Sequence, residues 1–148
     1  MKWMLVFGFA MLQQIVFAQT PLVVEFRWVI AHHCSATSPR IKVTRIPPGT
    51  RSLQVKMIDL DSRNPEHGGG SGKVVSDSDF PSVYQIPAGA LENYKGPCPD
   101  NFTTLGHEYQ IQVDAIGQDQ QLLSQGSAKA PFSGKFVILQ GVIGQPAD

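Results

Sequence analysis

Charge of one sign is what this chain most plainly lacks: its 148 residues carry 12 Lys and Arg against 12 Asp and Glu, with no basic run or stripe. Without that electrostatic footprint, nucleic acid is not an expected partner. Long apolar runs are missing as well. The block from Trp3 to Leu12 is about half of the roughly 20 residues that a membrane-spanning helix requires, and Gln13-Gln14 closes it. Cysteine is scarce, with only Cys34 and Cys98, so no Cys-x-x-Cys pair exists, and no His-x-x-x-His spacing accompanies it. A metal centre is therefore not expected, and no cofactor is called for. There is no heptad, internal repeat or low-complexity segment, and no Gly-x-Ser-x-Gly elbow of the acyl-transfer type.

What is present begins with Lys2, continues through the apolar block and reaches Val16-Phe17-Ala18 before the polar Gln19. That is the order of a secretory signal peptide, with cleavage expected after Ala18 and no transmembrane segment left afterwards. Residues 19–148 then make a single domain, long enough for one hydrophobic core. An exported chain, periplasmic or secreted, meets oxidising conditions. The one intramolecular bond open to it is Cys34–Cys98, with two free buried thiols as the alternative. Asn101-Phe102-Thr103 is a glycosylation sequon, meaningful only in a eukaryotic secretory pathway.

Period-two alternation dominates the rest. Leu22, Val24, Phe26, Trp28 and Ile30 alternate with Glu25 and Arg27, which predicts a first strand over 22–30. A shorter strand over 40–46 stops at Pro47-Pro48-Gly49. From Ser52 the row Leu53, Val55, Met57 faces one way and Gln54, Lys56 the other. Residues 62–79, rich in Ser, Asn, Pro and Gly, read as a long loop. A short strand is expected at Val83–Ile86 and one helical turn within 87–94. His107, Tyr109, Ile111, Val113 and Ala115 alternate with Glu108, Gln110, Gln112 and Asp114, the clearest strand in the chain. A last pair is expected at 121–123 and 135–143. Short strands with Pro/Gly punctuation and no long helical period point to an all-β sandwich with few or no helices.

The alternation also places chemistry. Asp59 and Asp61 continue the row of Leu53, Val55 and Met57, which predicts inward carboxylates at the end of that strand, and inward carboxylates need partners. His107 starts the inward row of its own strand. If the two strands are antiparallel neighbours, Asp59, Asp61 and His107 meet at one mouth of the sandwich. His67 precedes Gly68-Gly69-Gly70, whose bare backbone could offer N–H groups to an anion.

Several short segments, in order, carry a resemblance. Cys34-Ser35-Ala36-Thr37-Ser38-Pro39, Ile46-Pro47-Pro48-Gly49-Thr50-Arg51-Ser52-Leu53, Asp59-Leu60-Asp61, His67, Ile86-Pro87-Ala88-Gly89, Tyr94-Lys95-Gly96-Pro97-Cys98-Pro99 and His107-Glu108-Tyr109 are collinear over residues 26–123. Together they resemble the bacterial, Raf-kinase-inhibitor-like branch of the phosphatidylethanolamine-binding proteins. The resemblance implies a Greek-key β-sandwich with a cavity for phosphate, phosphorylethanolamine head groups or acetate-like anions. It places Asp59 and Asp61 on the family's Asp-Pro-Asp motif, His67 on the following histidine, His107 and Tyr109 on Gly-x-His-Arg-Tyr, and Pro97 with Pro99 on the loop that walls the pocket. Leu60 replaces the motif's proline, Glu108 its arginine, and Gly68-Gly69-Gly70 stands where an aromatic is usual.

The expected function is binding, not catalysis: a small anion or phosphorylated head group held by Asp59, Asp61, His67, Pro97, His107 and Tyr109. The alternatives are a protein partner, as for a protease-inhibitor-like modulator using the 62–79 segment, and a weak hydrolase using His67 and Asp59.

Overall fold

The computed structural model describes residues 20–100 and 106–133, and these form an all-β arrangement without an α-helix. The strands are β1 (Val23–Phe26), β2 (Ile41–Thr44), β3 (Ser52–Asp59), β4 (Gly69–Val75), β5 (Val83–Ile86), β6 (Tyr94–Lys95), β7 (His107–Ile116) and β8 (Leu122–Phe132). Single 3-10 turns lie at Ile30–His32 and Pro65–His67. Two antiparallel sheets result, one ordered β1-β2-β5 and the other β6-β4-β3-β7-β8. The expected signal peptide at 1–18, the sequon at Asn101 and the strand at 135–143 lie outside the described residues.

Alternation decides which side chains make the core. Leu53, Val55 and Met57 of β3 and Tyr109, Ile111, Val113 and Ala115 of β7 are buried from the five-stranded sheet. Val24, Ile41, Val43 and Ile86 are buried from the three-stranded one, and both sets belong to one hydrophobic cluster. Trp28, 1 % exposed, fills the site-facing end of that cluster. Its ring meets Phe26, Tyr109 and Phe132 edge-on at 5.0–6.1 Å, and its Nε1 donates to the Ala130 carbonyl at 3.3 Å. Edge-on packing suits the aromatic quadrupole, and the indole N–H is not left unpaired in the core.

Four expectations are corrected. The first strand ends at Phe26, and Ile30 is 54 % exposed because the chain turns there: His32 Nδ1 accepts the Val29 N–H at 3.0 Å. The 62–79 segment is no long loop, since β4 lies between β3 and β6. Its glycines are structural. Gly70 has φ +133°, and a Cβ there would stand 2.8 Å from Tyr94 Cα, so only glycine lets β6 come this close. Residues 87–94 make turns around Gly89 and no helical turn, ending in β6. The last described strand extends from Leu122 to Phe132 instead of 121–123. It is an edge strand of small and polar residues that tolerates Pro131.

Candidate functional site

β3 and β7 are antiparallel neighbours, and their register puts Asp59 directly across from Tyr109. The end of β3 therefore lies beside the start of β7, and the Asp59 and His107 side chains meet: His107 Nδ1 is 2.7 Å from Asp59 Oδ2. Asp59 is 2 % exposed at its side chain, so its charge needs internal partners. It has three. Oδ1 accepts the backbone N–H groups of Asp61 at 2.9 Å and Ser62 at 3.0 Å, and Oδ2 takes the imidazole. Because the carboxylate only accepts, His107 Nδ1 is the donor and Nε2 is left without a hydrogen-bond partner among the described residues.

The same two backbone bonds explain why Asp61 does not point inward as the alternation predicts. By accepting from residues two and three positions ahead, Asp59 turns the chain out of the strand. Asp61 is exposed, and its Oδ2 accepts the Glu108 N–H at 2.7 Å, next to the Leu60 N–H to Glu108 carbonyl bond at 2.9 Å. Its role is to carry the β3–β7 ladder one step past the strand end.

His67 reaches the site from the other side. Asn64 starts its 3-10 turn, accepting the Glu66 N–H on Oδ1 and the His67 N–H on its carbonyl, both at 3.0 Å. The His67 carbonyl then accepts two bonds of 2.7 Å, from the Tyr109 hydroxyl and from the Cys98 N–H. Burial, and next the Asp59 carboxylate, push the Tyr109 phenol well above its ordinary value, so it stays a neutral donor. The His67 ring lies 5.2 Å from the His107 ring, centroid to centroid. Its Nε2 is 3.3 Å from Asp100 Oδ2, while its Nδ1 is buried with no hydrogen-bond partner among the described residues.

Pro97 and Pro99 are both buried, and they belong to the loop that closes over the turn. Gly68 is what makes this closure fit: a Cβ there would lie 2.7 Å from the Gly96 carbonyl oxygen and 3.2 Å from Pro97 Cα. Gly68-Gly69-Gly70 is thus taken up by β4, β6 and the proline loop, and not by an anion cradle. A disulfide joins Cys34 to Cys98, with Cα atoms 4.6 Å apart, and the Cys34 N–H donates to the Pro97 carbonyl at 2.8 Å. The chain's two cysteines are paired.

Of the residues singled out from sequence, the structure brings Asp59, His67, His107 and Tyr109 together, with Pro97 beside them and Asp61 at the rim. It adds Asp100. No periodicity marks that residue; only its place two positions after Cys98 ties it to the loop the disulfide holds. A separate concavity of about 450 Å³ opens elsewhere, on the outer face of the five-stranded sheet, beside Gln54, Lys56, Lys73 and Gln112. It contains none of the residues above.

Comparison with protein-family models finds no match to this chain, and comparison with curated proteins finds none either. The chemistry of the site must be argued from its own atoms.

Proposed function

We propose that this chain is an exported binding module that takes a small anion or a phosphorylated head group at Asp59, His67 and His107, on a Greek-key sandwich of the phosphatidylethanolamine-binding type. The observation that carries the reading is the pairing of two imidazoles 5.2 Å apart, each with one nitrogen facing a carboxylate and the other without a hydrogen-bond partner among the described residues. With one ring nitrogen facing a carboxylate, the other nitrogen, when it carries a proton, can donate to an anionic oxygen. Two such rings side by side present two donors to one phosphoryl group.

The carboxylates decide which anion is favoured. Asp59 is spent on two backbone N–H groups and His107, so it offers little to repel a ligand. Asp100 and Asp61 stand exposed at the rim, where an ammonium group would pair with them. A zwitterion such as phosphorylethanolamine meets both sets of charge, and bare phosphate meets only the first. The collinear motifs over residues 26–123 and two antiparallel sheets sharing one core support the family reading. The disulfide supports export to an oxidising compartment, and among the described residues no helix is long and apolar enough to cross a membrane.

The test is an NMR titration with phosphate and with O-phosphorylethanolamine, in the presence of a chelator, following the His67 and His107 imidazole resonances. Saturable shifts in both rings are expected, tighter for the zwitterion than for phosphate and weakened in Asp100→Ala. Flat resonances to high ligand concentration refute the reading.

A further inference from the structure

The donor set at this site has a second use. One oxygen of Asp59 and one nitrogen from each of His67 and His107 lie within 4.8 Å of one another. We infer that Asp59, His67 and His107 form a binding site for a borderline-soft divalent cation of the Zn²⁺ class, with His67 ligating through Nδ1.

Three features carry this. First, His67 Nδ1 is a buried nitrogen without a hydrogen-bond partner among the described residues, and burying a polar atom unpaired costs about 1–3 kcal/mol, which a bound ion would recover. Second, the ring is already oriented from behind: its Nε2 faces the Asp100 carboxylate at 3.3 Å, the arrangement in which a metal-bound imidazole donates its other N–H to a carboxylate. A proton on Nε2, the nitrogen that faces this carboxylate, leaves the lone pair on Nδ1, the nitrogen that needs it. Third, two imidazoles with one carboxylate match the three protein ligands of open zinc sites, with the fourth position left to water or an anion. The hard cations Ca²⁺ and Mg²⁺ want six or more oxygens, which this cluster does not supply.

Tetrahedral coordination at about 2.0–2.1 Å sets ligand atoms roughly 3.3 Å apart. The His107 Nδ1 to Asp59 Oδ2 separation of 2.7 Å must therefore open, and the His67 ring must close inward. Both are side-chain rotations. Where the ion enters between Asp59 and His107, the proton on Nδ1 of a neutral His107 moves to Nε2, and any imidazole that starts protonated releases one proton to solvent. Among the described residues the other cluster of metal-ligating type, His33 with Cys34 and Cys98, is closed to metal because its sulfurs are bonded to each other.

This inference stands apart from the anion reading, since it needs imidazole lone pairs where that one needs imidazole N–H groups. If both hold, the ion's fourth position is where a phosphoryl oxygen enters.

The experiment uses the full chain, stripped with chelator and exchanged into buffer free of phosphate and carboxylates. Zn²⁺ is followed by calorimetry and Co²⁺ by visible absorption. One ion per chain and the strong visible bands of tetrahedral Co²⁺ are expected. His67→Ala, which removes a ring whose polar contact among the described residues is to an exposed aspartate, should abolish binding while leaving the circular dichroism unchanged. Asp100→Ala should weaken it about 10–100-fold. The inference is overturned if wild-type chain gives neither heat nor Co²⁺ bands, or if binding survives in His67→Ala and disappears in His33→Ala. Phosphate-induced shifts in the chelated protein would leave the anion reading standing in either case.

Discussion

Replacing Asp59 tests how the end of β3 is held together. Its carboxylate accepts from Asp61 N–H, Ser62 N–H and His107 Nδ1 at 2.7–3.0 Å, and the side chain is 2 % exposed. A hydrogen bond to a charged group contributes about 1.5–3 kcal/mol, whereas a donor that can turn to water recovers most of that when its partner is removed. Asp61 is exposed and Ser62 half-buried, so their N–H groups should each cost about 0.5–1 kcal/mol once Asp59 is gone, while the half-buried His107 ring costs nearer the full amount. Asp59→Ala is therefore expected to lose about 3–5 kcal/mol. Asp59→Asn keeps the oxygen that serves the two backbone groups and turns an amide N–H toward His107 Nδ1, which must then accept. That exchange of charge for a neutral bond should cost only about 1–2 kcal/mol. Urea unfolding in the presence of chelator, read by fluorescence of the buried Trp28, would give the order wild type, Asn, Ala at constant slope. A double-mutant cycle with His107→Ala should return a coupling of about 1–3 kcal/mol. The reasoning fails if Asp59→Ala lies within about 0.5 kcal/mol of wild type, if Asn is as damaging as Ala, or if the coupling vanishes.

Three further outcomes follow from the geometry. Cys34 and Cys98 are 64 positions apart, so chain-entropy arguments give about 4 kcal/mol for the bond, and Cys34→Ser with Cys98→Ser should lower the urea midpoint accordingly; a change under about 1 kcal/mol would show a native state that gains little from the link. Gly70→Ala puts a Cβ 2.8 Å from Tyr94 Cα at φ +133°, which should cost about 2–4 kcal/mol and speed amide exchange at Tyr94 and Lys95, with unchanged exchange counting against the packing argument. Burial holds the Tyr94 and Tyr109 phenols well above the ordinary 10.0, so above that pH the folded chain keeps two protons the unfolded chain has lost. Stability is then intact below about pH 10 and falls above it by up to about 2.7 kcal/mol per pH unit, and Tyr109→Phe should halve the slope.

How much was legible in the sequence depends on what each segment uses to hold its place. β3 and β7 could be read because each has one buried and one solvated face, and the meeting of Asp59 with His107 follows from antiparallel pairing alone. β4 could not, because the residues that make it a strand are glycines, chosen for the closeness of Tyr94 and carrying no hydrophobic period. β8 is hidden for a related reason: an edge strand of Ser, Gln, Gly and Ala has little apolar signal to alternate. Asp61 defeats the pattern because Asp59 captures the backbone ahead of it and ends the strand two residues early. Asp100 is placed by a covalent link between distant loops, a contact that local sequence does not encode. The family resemblance named His67, but not the carboxylate that orients it.

The carbonyl of His67 receives both the Tyr109 hydroxyl and the Cys98 N–H, and this one oxygen divides the site by history as well as by space. Asp59, His107 and Tyr109 arrive by strand pairing, which needs nothing but the chain itself. Asp100 belongs to the loop fastened by oxidation across 64 positions, and that loop closes on the His67 turn through the Cys98 N–H. In a still reduced molecule Asp59, His107 and Tyr109 keep their strand pairing while the loop that carries Asp100 lacks its covalent tie, so thiol oxidation orders one edge of this cluster as well as adding stability.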